Sequence, residues 1–331
     1  MKIKASDYIA EFLKAQGVKF VFEMAGGMIT QILDSIYKVG ETNIISVHHE
    51  QSAAFAADAY GRCTGNVGVG FATSGPGATN LITGIASCYF DSSPALFITG
   101  QVNTHEQKGE RNIRQLGFQE TDIVAMVEGI TKKSYRVTEA QQLVPILKEA
   151  YQLAISDRPG PVLIDLPMNL QRVEIEANPV QRLTRNKISS QLDATTYNGL
   201  IEAIKNSSRP LMLVGGGVNS SGARADILQL IEMLKVPVVT SLLGLDIIPY
   251  HHPLRVGFIG SYGNRWANLS MGRCDLLVVI GSRLDIRQTG ADVDSFSQNK
   301  KIFHIDRTFR AQQARIMNYL LRAYKIAHWS L

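Results

Sequence analysis

Hydrophobic and polar positions along this chain alternate between two rhythms. Short, nearly continuous apolar runs occur at 18–24, 43–49, 67–73, 95–100, 134–137 and 161–167. Between most of them lie stretches with 3.6-residue periodicity, including Ile29–Tyr37, Ala53–Cys63 and Leu143–Ile155. Uninterrupted apolar strands separated by helices predict a parallel sheet covered on both faces. The opening stretch "MKIKASDYIAEFLKAQG" reads as an amphipathic helix rather than a secretory leader.

From Val173 the rhythm lapses into a polar stretch carrying Pro179. It resumes with strands at 210–217, 236–241, 274–282 and 301–306 and a helix over Ala223–Leu234. The predicted organisation is α/β, with two doubly wound, parallel-sheet domains at 1–172 and 194–331 joined by a linker at 173–193.

Composition narrows the class. The 331 residues are 45% hydrophobic and 19% charged, enough for two globular cores. Net charge is +5, but pairs such as Lys132-Lys133 and Lys300-Lys301 are scattered, which reads as solvated surface rather than a nucleic-acid stripe. Cys63, Cys88 and Cys274 stand alone, without metal or redox spacing, so a reduced cytoplasm is the simplest setting. No apolar run reaches the roughly 18 residues a membrane span needs.

Candidate chemistry collects where strands hand over to helices. In "VHHEQSAAFAADAYGR" Glu50 opens a helix whose Ala53, Ala54, Ala57 and Gly61 share its face. Such a face allows either a ligand's close approach or tight helix packing, with Glu50 complementing the helix N-terminus. A zinc-protease pattern fails, because Ala53 occupies the second histidine position. Gly75-Pro76-Gly77 follows a strand and precedes a helix, a turn that brings backbone close to a ligand or simply reverses the chain. Gln119 with Phe118 before a helix, and Arg158 in a Pro-Gly turn, each admit a structural role as well. In the second segment Gly215, Gly216 and Gly217 follow a strand. "GSRLDIRQTG" follows another and supplies Arg283, Asp285 and Arg287, which form an anion clamp or a surface ion cluster.

In order, "HEQSAAFAADAYGR", "ATSGPGATNLITG", "ITGQV", "GFQETDIV", "RPGPVLIDLP", "LLGL" and R-x-D-x-R-x-T-G resemble the acetolactate synthase large-subunit group of thiamine diphosphate-dependent enzymes. The resemblance covers nearly the whole chain through Asp306. It implies a pyrimidine-binding domain followed by a central, FAD-type domain. It makes Glu50, Gln119 and Phe118 the catalytic set. Glu50 would hydrogen-bond N1′ of the cofactor's aminopyrimidine and favour the tautomer that deprotonates the thiazolium, with the small face beside it accommodating the ring. Phe118 and Gln119 would line the substrate pocket. Gly27, Pro76, Gly77 and Asn80 would lie near thiamine diphosphate. Arg158, Gly215, Gly216, Gly217, Thr240, Leu243, Gly281, Arg283, Asp285, Arg287 and Asp306 would surround a structural FAD.

The implied activity is decarboxylation of pyruvate and carboligation to 2-acetolactate, within branched-chain amino acid biosynthesis, by a cytoplasmic homodimer or tetramer. No metal ligands are expected in this chain. The family's Gly-Asp-Gly start of its Mg²⁺-diphosphate domain does not occur, and the sequence after Asp306 drifts from the pattern, so the expectation is an incomplete, inactive front portion. Met168 replaces the lysine usual after "DLP", "EMAGG" at 23–27 replaces "GYPGG", and "GSYG" at 260–263 replaces "GMHG". These departures leave open an acceptor that is a sugar-derived ketone. A silent FAD- or nucleotide-binding fragment is the alternative; an NAD enzyme lacks its glycine fingerprint.

Overall fold

Every apolar run named above becomes a strand. The computed structural model describes residues 1–184 and 194–306, and the chain divides into two units, Met1–Asn186 and Lys187–Leu331. In the first unit β1 (Lys2–Lys4) precedes β2 (Phe20–Glu23), β3 (Asn43–Ser46), β4 (Gly68–Ala72), β5 (Ala95–Gln101), β6 (Lys133–Arg136), β7 (Pro161–Pro167) and β8 (Glu174–Glu176). Six of these form a parallel sheet in the order β3-β2-β4-β5-β7-β6. β4, β5 and β7 are buried along their whole length, which is why they read as unbroken apolar runs.

Helices cover both faces. Ala5–Ala15, Thr30–Val39 and Leu143–Ile155 bury Tyr8, Phe12, Ile32, Ile36 and Leu147 against one face. Glu50–Thr64, Ile82–Asp91 and Ile123–Val127 bury Ala54, Ala57, Ile85, Cys88 and Val127 against the other. Full burial of each large aliphatic side chain contributes about 1.5–3 kcal/mol.

Two expectations change here. The first residues are strand, not helix: the Lys-Ile-Lys alternation has a period of two, and helix begins only at Ala5. The stretch expected as a linker from 173 begins inside the first unit. β8 pairs antiparallel with β1, Ile175 is buried, Ala177 N–H donates to Met1 O at 3.0 Å, and Leu183 N–H donates to Gln16 Oε1 at 2.7 Å. A three-residue strand carries too little periodicity to register in sequence, and the Gln16 side chain supplies partners that polarity alone conceals. Residues 185–193 lie outside the described residues.

The second unit repeats the principle. β9 (Pro210–Val214), β10 (Val238–Thr240), β11 (Arg255–Phe258), β12 (Leu276–Ile280) and β13 (Lys301–Ile305) form a parallel sheet ordered β11-β10-β9-β12-β13. The expected helix is present as Arg224–Leu234. β11 was not anticipated: it is an edge strand, partly exposed throughout, and includes Gly257 with φ +143°. In both sheets the chain fills one side and then the other. The topological switch therefore falls between β2 and β4 in the first and between β9 and β12 in the second. Open α/β sheets bind ligands at such points, outside the strands' carboxyl ends.

Candidate functional site

Glu50 is the first residue of helix Glu50–Thr64, and Gln51 N–H donates to His49 Nδ1 at 3.2 Å ahead of it. A carboxylate in the first turn complements the helix dipole. Glu50 is only 7% exposed. Asn80 Nδ2 donates to Oε2 at 2.9 Å, while Oε1 has no hydrogen-bond partner among the described residues. A Cβ on Gly77 would stand 3.1 Å from Oε1 and 2.8 Å from Thr73 Cγ2. A Cβ on Gly26 would stand 2.5 Å from Thr73 Cβ, and Met28 N–H donates to Thr73 Oγ1 at 3.4 Å. The loops after β2, β3 and β4 thus meet at the switch point, with an unpaired carboxylate oxygen facing a residue that lacks a side chain. Gly27 faces open space, and Pro76 is exposed at the start of the helix Pro76–Asn80.

Phe118 and Gln119 lie on the segment between β5 and helix Ile123–Val127. Gln119 has φ +61°, and Phe118 is 76% exposed. Gly75, with φ +66°, abuts Gln119: a Cβ there would fall 2.6 Å from Gln119 Cβ. Glu50, Gly77 and Asn80 are thereby linked through the Thr73–Gly77 turn to Gln119. Ser74, Gln101 and Asp165, which the sequence reading missed, support this arrangement from below. Ser74 Oγ reaches Gln119 O at 2.7 Å and Gln101 Oε1 at 3.0 Å, and Gln101 Nε2 donates to Asp165 Oδ2 at 3.0 Å. Burial pushes the Asp165 carboxyl up to about 6, against the hydrogen bonds from Thr99 and Gln101 that favour its ionised form. The signal available in sequence was a lone Asp inside an otherwise apolar strand.

The face of small residues behind Glu50 holds no ligand space. A Cβ on Gly84 would meet Ala54 Cβ at 2.3 Å, one on Gly68 would meet Ala57 O at 1.8 Å, and one on Gly61 would meet Pro94 O at 2.4 Å. The expectation of a ring lying along that face is corrected: the alanines exist so that β4 and helix Ile82–Asp91 can approach. Asp58 on the same helix is tied to Arg62 at 3.0 Å and accepts from Ser87 Oγ at 2.8 Å. Arg158 is not brought to Glu50. It precedes β7, at the amino-terminal edge of the sheet, where its Nε donates to Ser92 Oγ at 2.6 Å.

In the second unit the expected residues gather at the carboxyl edge. Gly217 N–H donates to Gly281 O at 2.9 Å. Cβ atoms on Gly215 and Gly217 would fall 2.3 Å from Gly281 O and 2.7 Å from Gly281 Cα, and one on Gly216 would fall 2.9 Å from Leu243 Cβ. Thr240, fully buried at the end of β10, leaves Oγ1 without a hydrogen-bond partner among the described residues. Arg283 Nη2 lies 3.9 Å from Asp285 Oδ2, and Asp285 accepts from Arg287 N–H at 3.0 Å. Arg283 and Arg287 are exposed. Asp306, after β13, sits 4.0 Å from His304 Nε2. Burial lowers the His304 pKa against the opposing pull of Asp306.

Residues 3–126 match the N-terminal TPP-binding domain of thiamine pyrophosphate enzymes, and residues 197–319 match their central domain. The chain belongs to the thiamine pyrophosphate enzyme family. It is 38% identical over 309 residues to a probable acetolactate synthase large subunit of Methanocaldococcus jannaschii, covering 92% of this chain and 51% of that protein. It is 39% identical to the acetolactate synthase of Arthrospira platensis, covering 90% and 52%. To the acetolactate synthase isozyme 2 large subunit of Escherichia coli it is 34% identical, covering 92% and 54%. The chain spans about half the length of the curated relatives it matches. As a thiamine pyrophosphate enzyme it carries Gly27, Glu50, Pro76, Gly77, Asn80, Phe118 and Gln119 within the matched TPP-binding domain, and Gly215 through Asp306 within the matched central domain. Arg158 lies in neither match. No helix among the described residues is long and apolar enough to cross a membrane.

Proposed function

We propose that the first unit holds the aminopyrimidine ring of thiamine diphosphate against Glu50, and that the chain serves a 2-keto acid decarboxylase and carboligase of the acetolactate synthase kind. One observation carries this reading: a buried carboxylate with Oε2 pinned by Asn80 and Oε1 unpaired, facing a residue without a Cβ at the switch point. These residues fit the cofactor's ring, since Oε1 of a largely buried carboxylate has no protein partner among the described residues and stands open to a donor on an incoming ring. When bound, thiamine diphosphate supplies the nucleophilic carbon and the electron sink for decarboxylation. Glu50 Oε1 holds the proton at the ring nitrogen, with Asn80 fixing its rotamer. Gly77 and Thr73 bound the ring's place, beside Gly27 and Pro76. Gln119 and Phe118 offer an amide and an aromatic ring to the keto acid.

The acceptor is pyruvate or, given Met168 and the Glu23–Gly27 loop, a sugar-derived ketone. The Mg²⁺ and diphosphate contacts are assigned to protein beyond the described residues. We further assign FAD to the second unit. Thr240 Oγ1 awaits a partner there, and Gly215, Gly216, Gly217, Leu243, Gly281, Arg283, Asp285, Arg287 and Asp306 share its edge. A homodimer or tetramer in the cytoplasm completes the proposal, and sedimentation of the chain tests the assembly.

Titration with thiamine diphosphate and Mg²⁺, read by calorimetry on this chain joined to the protein that supplies those diphosphate contacts, tests the first assignment. Wild type should bind, and Glu50→Gln should weaken binding and slow C2 proton exchange severely. Equal exchange in both proteins would reject it. A flavin absorbance spectrum of the purified chain tests the second.

A further inference from the structure

Segment 103–122 forms a strap over the carboxyl ends of β4, β5 and β7. Gln101, the last residue of β5, has hydrogen-bond partners on both its amide oxygen and its amide nitrogen. Its Oε1 accepts from Val102 N–H at 3.0 Å and shares the single Ser74 hydroxyl proton, at 3.0 Å, with Gln119 O. Its Nε2 donates to Thr121 O at 2.8 Å and to Asp165 Oδ2 at 3.0 Å. The second anchor is Gln119, whose carbonyl accepts from Ser74 Oγ at 2.7 Å and Thr121 Oγ1 at 3.2 Å. Glu120 ties the strap to itself, accepting from Lys108 N–H at 2.7 Å and Leu116 N–H at 2.8 Å. The left-handed backbone of Gln119 costs roughly 1–2 kcal/mol outside glycine and persists only where its surroundings over-determine it.

We infer that Gln101, oriented by Asp165, is a positioning residue that latches this strap so that Gln119 is held against Gly75 with Phe118 exposed beside it. The inference rests on the reading of Gln119 and Phe118 as pocket residues given above. Asp165 sets which way the Gln101 amide faces, because an ionised carboxylate only accepts and so demands Nε2. A proton on Oδ2 would weaken that acceptor. The charged groups facing Asp165 are Arg136, its register partner on β6, and Asp122 at the start of helix Ile123–Val127. These two pair with each other, and Thr99 on β5 donates to Oδ1 at 2.7 Å.

Hydrogen exchange on the whole chain, without cofactor, tests this at the Leu116 and Glu120 amides. Gln101→Leu should accelerate both roughly tenfold, the loss of about one net buried hydrogen bond, while core amides of β5 and β7 keep their rates. Ser74→Ala, which cuts the Gln119 anchor, should act in the same direction and serves if Gln101→Leu does not fold. Unchanged strap exchange in both variants, or core amides accelerating in step, would overturn the inference. Because no cofactor is present, a negative result leaves the assignment of Glu50 standing, and failed cofactor binding leaves the latch untouched.

Discussion

The two switch points look alike in sequence, a strand followed by glycines and then a helix, yet their glycines answer different needs. At the second, Gly215 and Gly217 lie against Gly281, and the chain's own backbone fills the space. At the first, Gly77 faces Glu50 Oε1, an acceptor with no partner among the described residues. A glycine-rich turn is therefore weak evidence for a ligand wherever two loops need the room. What distinguishes a site is an unsatisfied polar atom beside the glycine. By that measure Glu50 and Thr240 point to ligands, and Gly215 to Gly217 by themselves do not.

Substitutions separate the two roles. The largest effect is expected where glycine serves packing. Gly68→Ala places a Cβ 1.8 Å from Ala57 O and should destabilise the first unit by upwards of 3 kcal/mol in chemical denaturation. Gly217→Ala meets Gly281 Cα at 2.7 Å and should cost the second unit about 1–3 kcal/mol. Its melting should shift while the first unit's does not.

Asp165 adds a pH signature of comparable size. Its folded pKa, about 6, lies above the ordinary value of 3.8, so between those values the folded state holds more protons than the unfolded one. Its contribution is fully present below about pH 4 and is lost as pH rises through about 6, by at most ~3 kcal/mol. Denaturation of Asp165→Asn across that window should show a flatter profile, and an unchanged slope would refute the assignment to this residue.

Smaller effects belong to the ligand-facing positions. Gly77→Ala crowds Thr73 Cγ2 at 2.8 Å and should cost only about 1 kcal/mol of stability, yet lower thiamine diphosphate affinity by an order of magnitude or more. Thr240→Val removes a buried hydroxyl without a partner and should stabilise the cofactor-free chain by about 1 kcal/mol. If Gly77→Ala binds cofactor normally, the contrast between the two switch points fails.

Much of this was legible from residues alone. The runs that became β4, β5 and β7 announced a doubly covered parallel sheet, because only two-sided burial favours unbroken apolar strands. The order of motifs pointed to Glu50 and Gln119 and to their family. β1, β8 and β11 escaped: two are three-residue strands, and the third is a half-exposed edge. Ser74, Gln101 and Asp165 were passed over because a buried polar residue declares its role only through its partners, and Asp165 lies 64 positions from Gln101.

What the sequence by itself determined is the alternation of strand and helix, the two parallel sheets, and the presence of one carboxylate at a strand-to-helix handover. Periodicity reports each residue's own backbone and the side it buries, and that information is local. Tertiary structure alone decided the strand order, and with it the place where the chain reverses direction across the sheet. That order set Glu50 against Gly77 and Asn80, left Arg158 at the opposite edge, and gave the alanine face to a neighbouring helix. Each outcome depends on packing between segments distant in the chain, which no local pattern encodes.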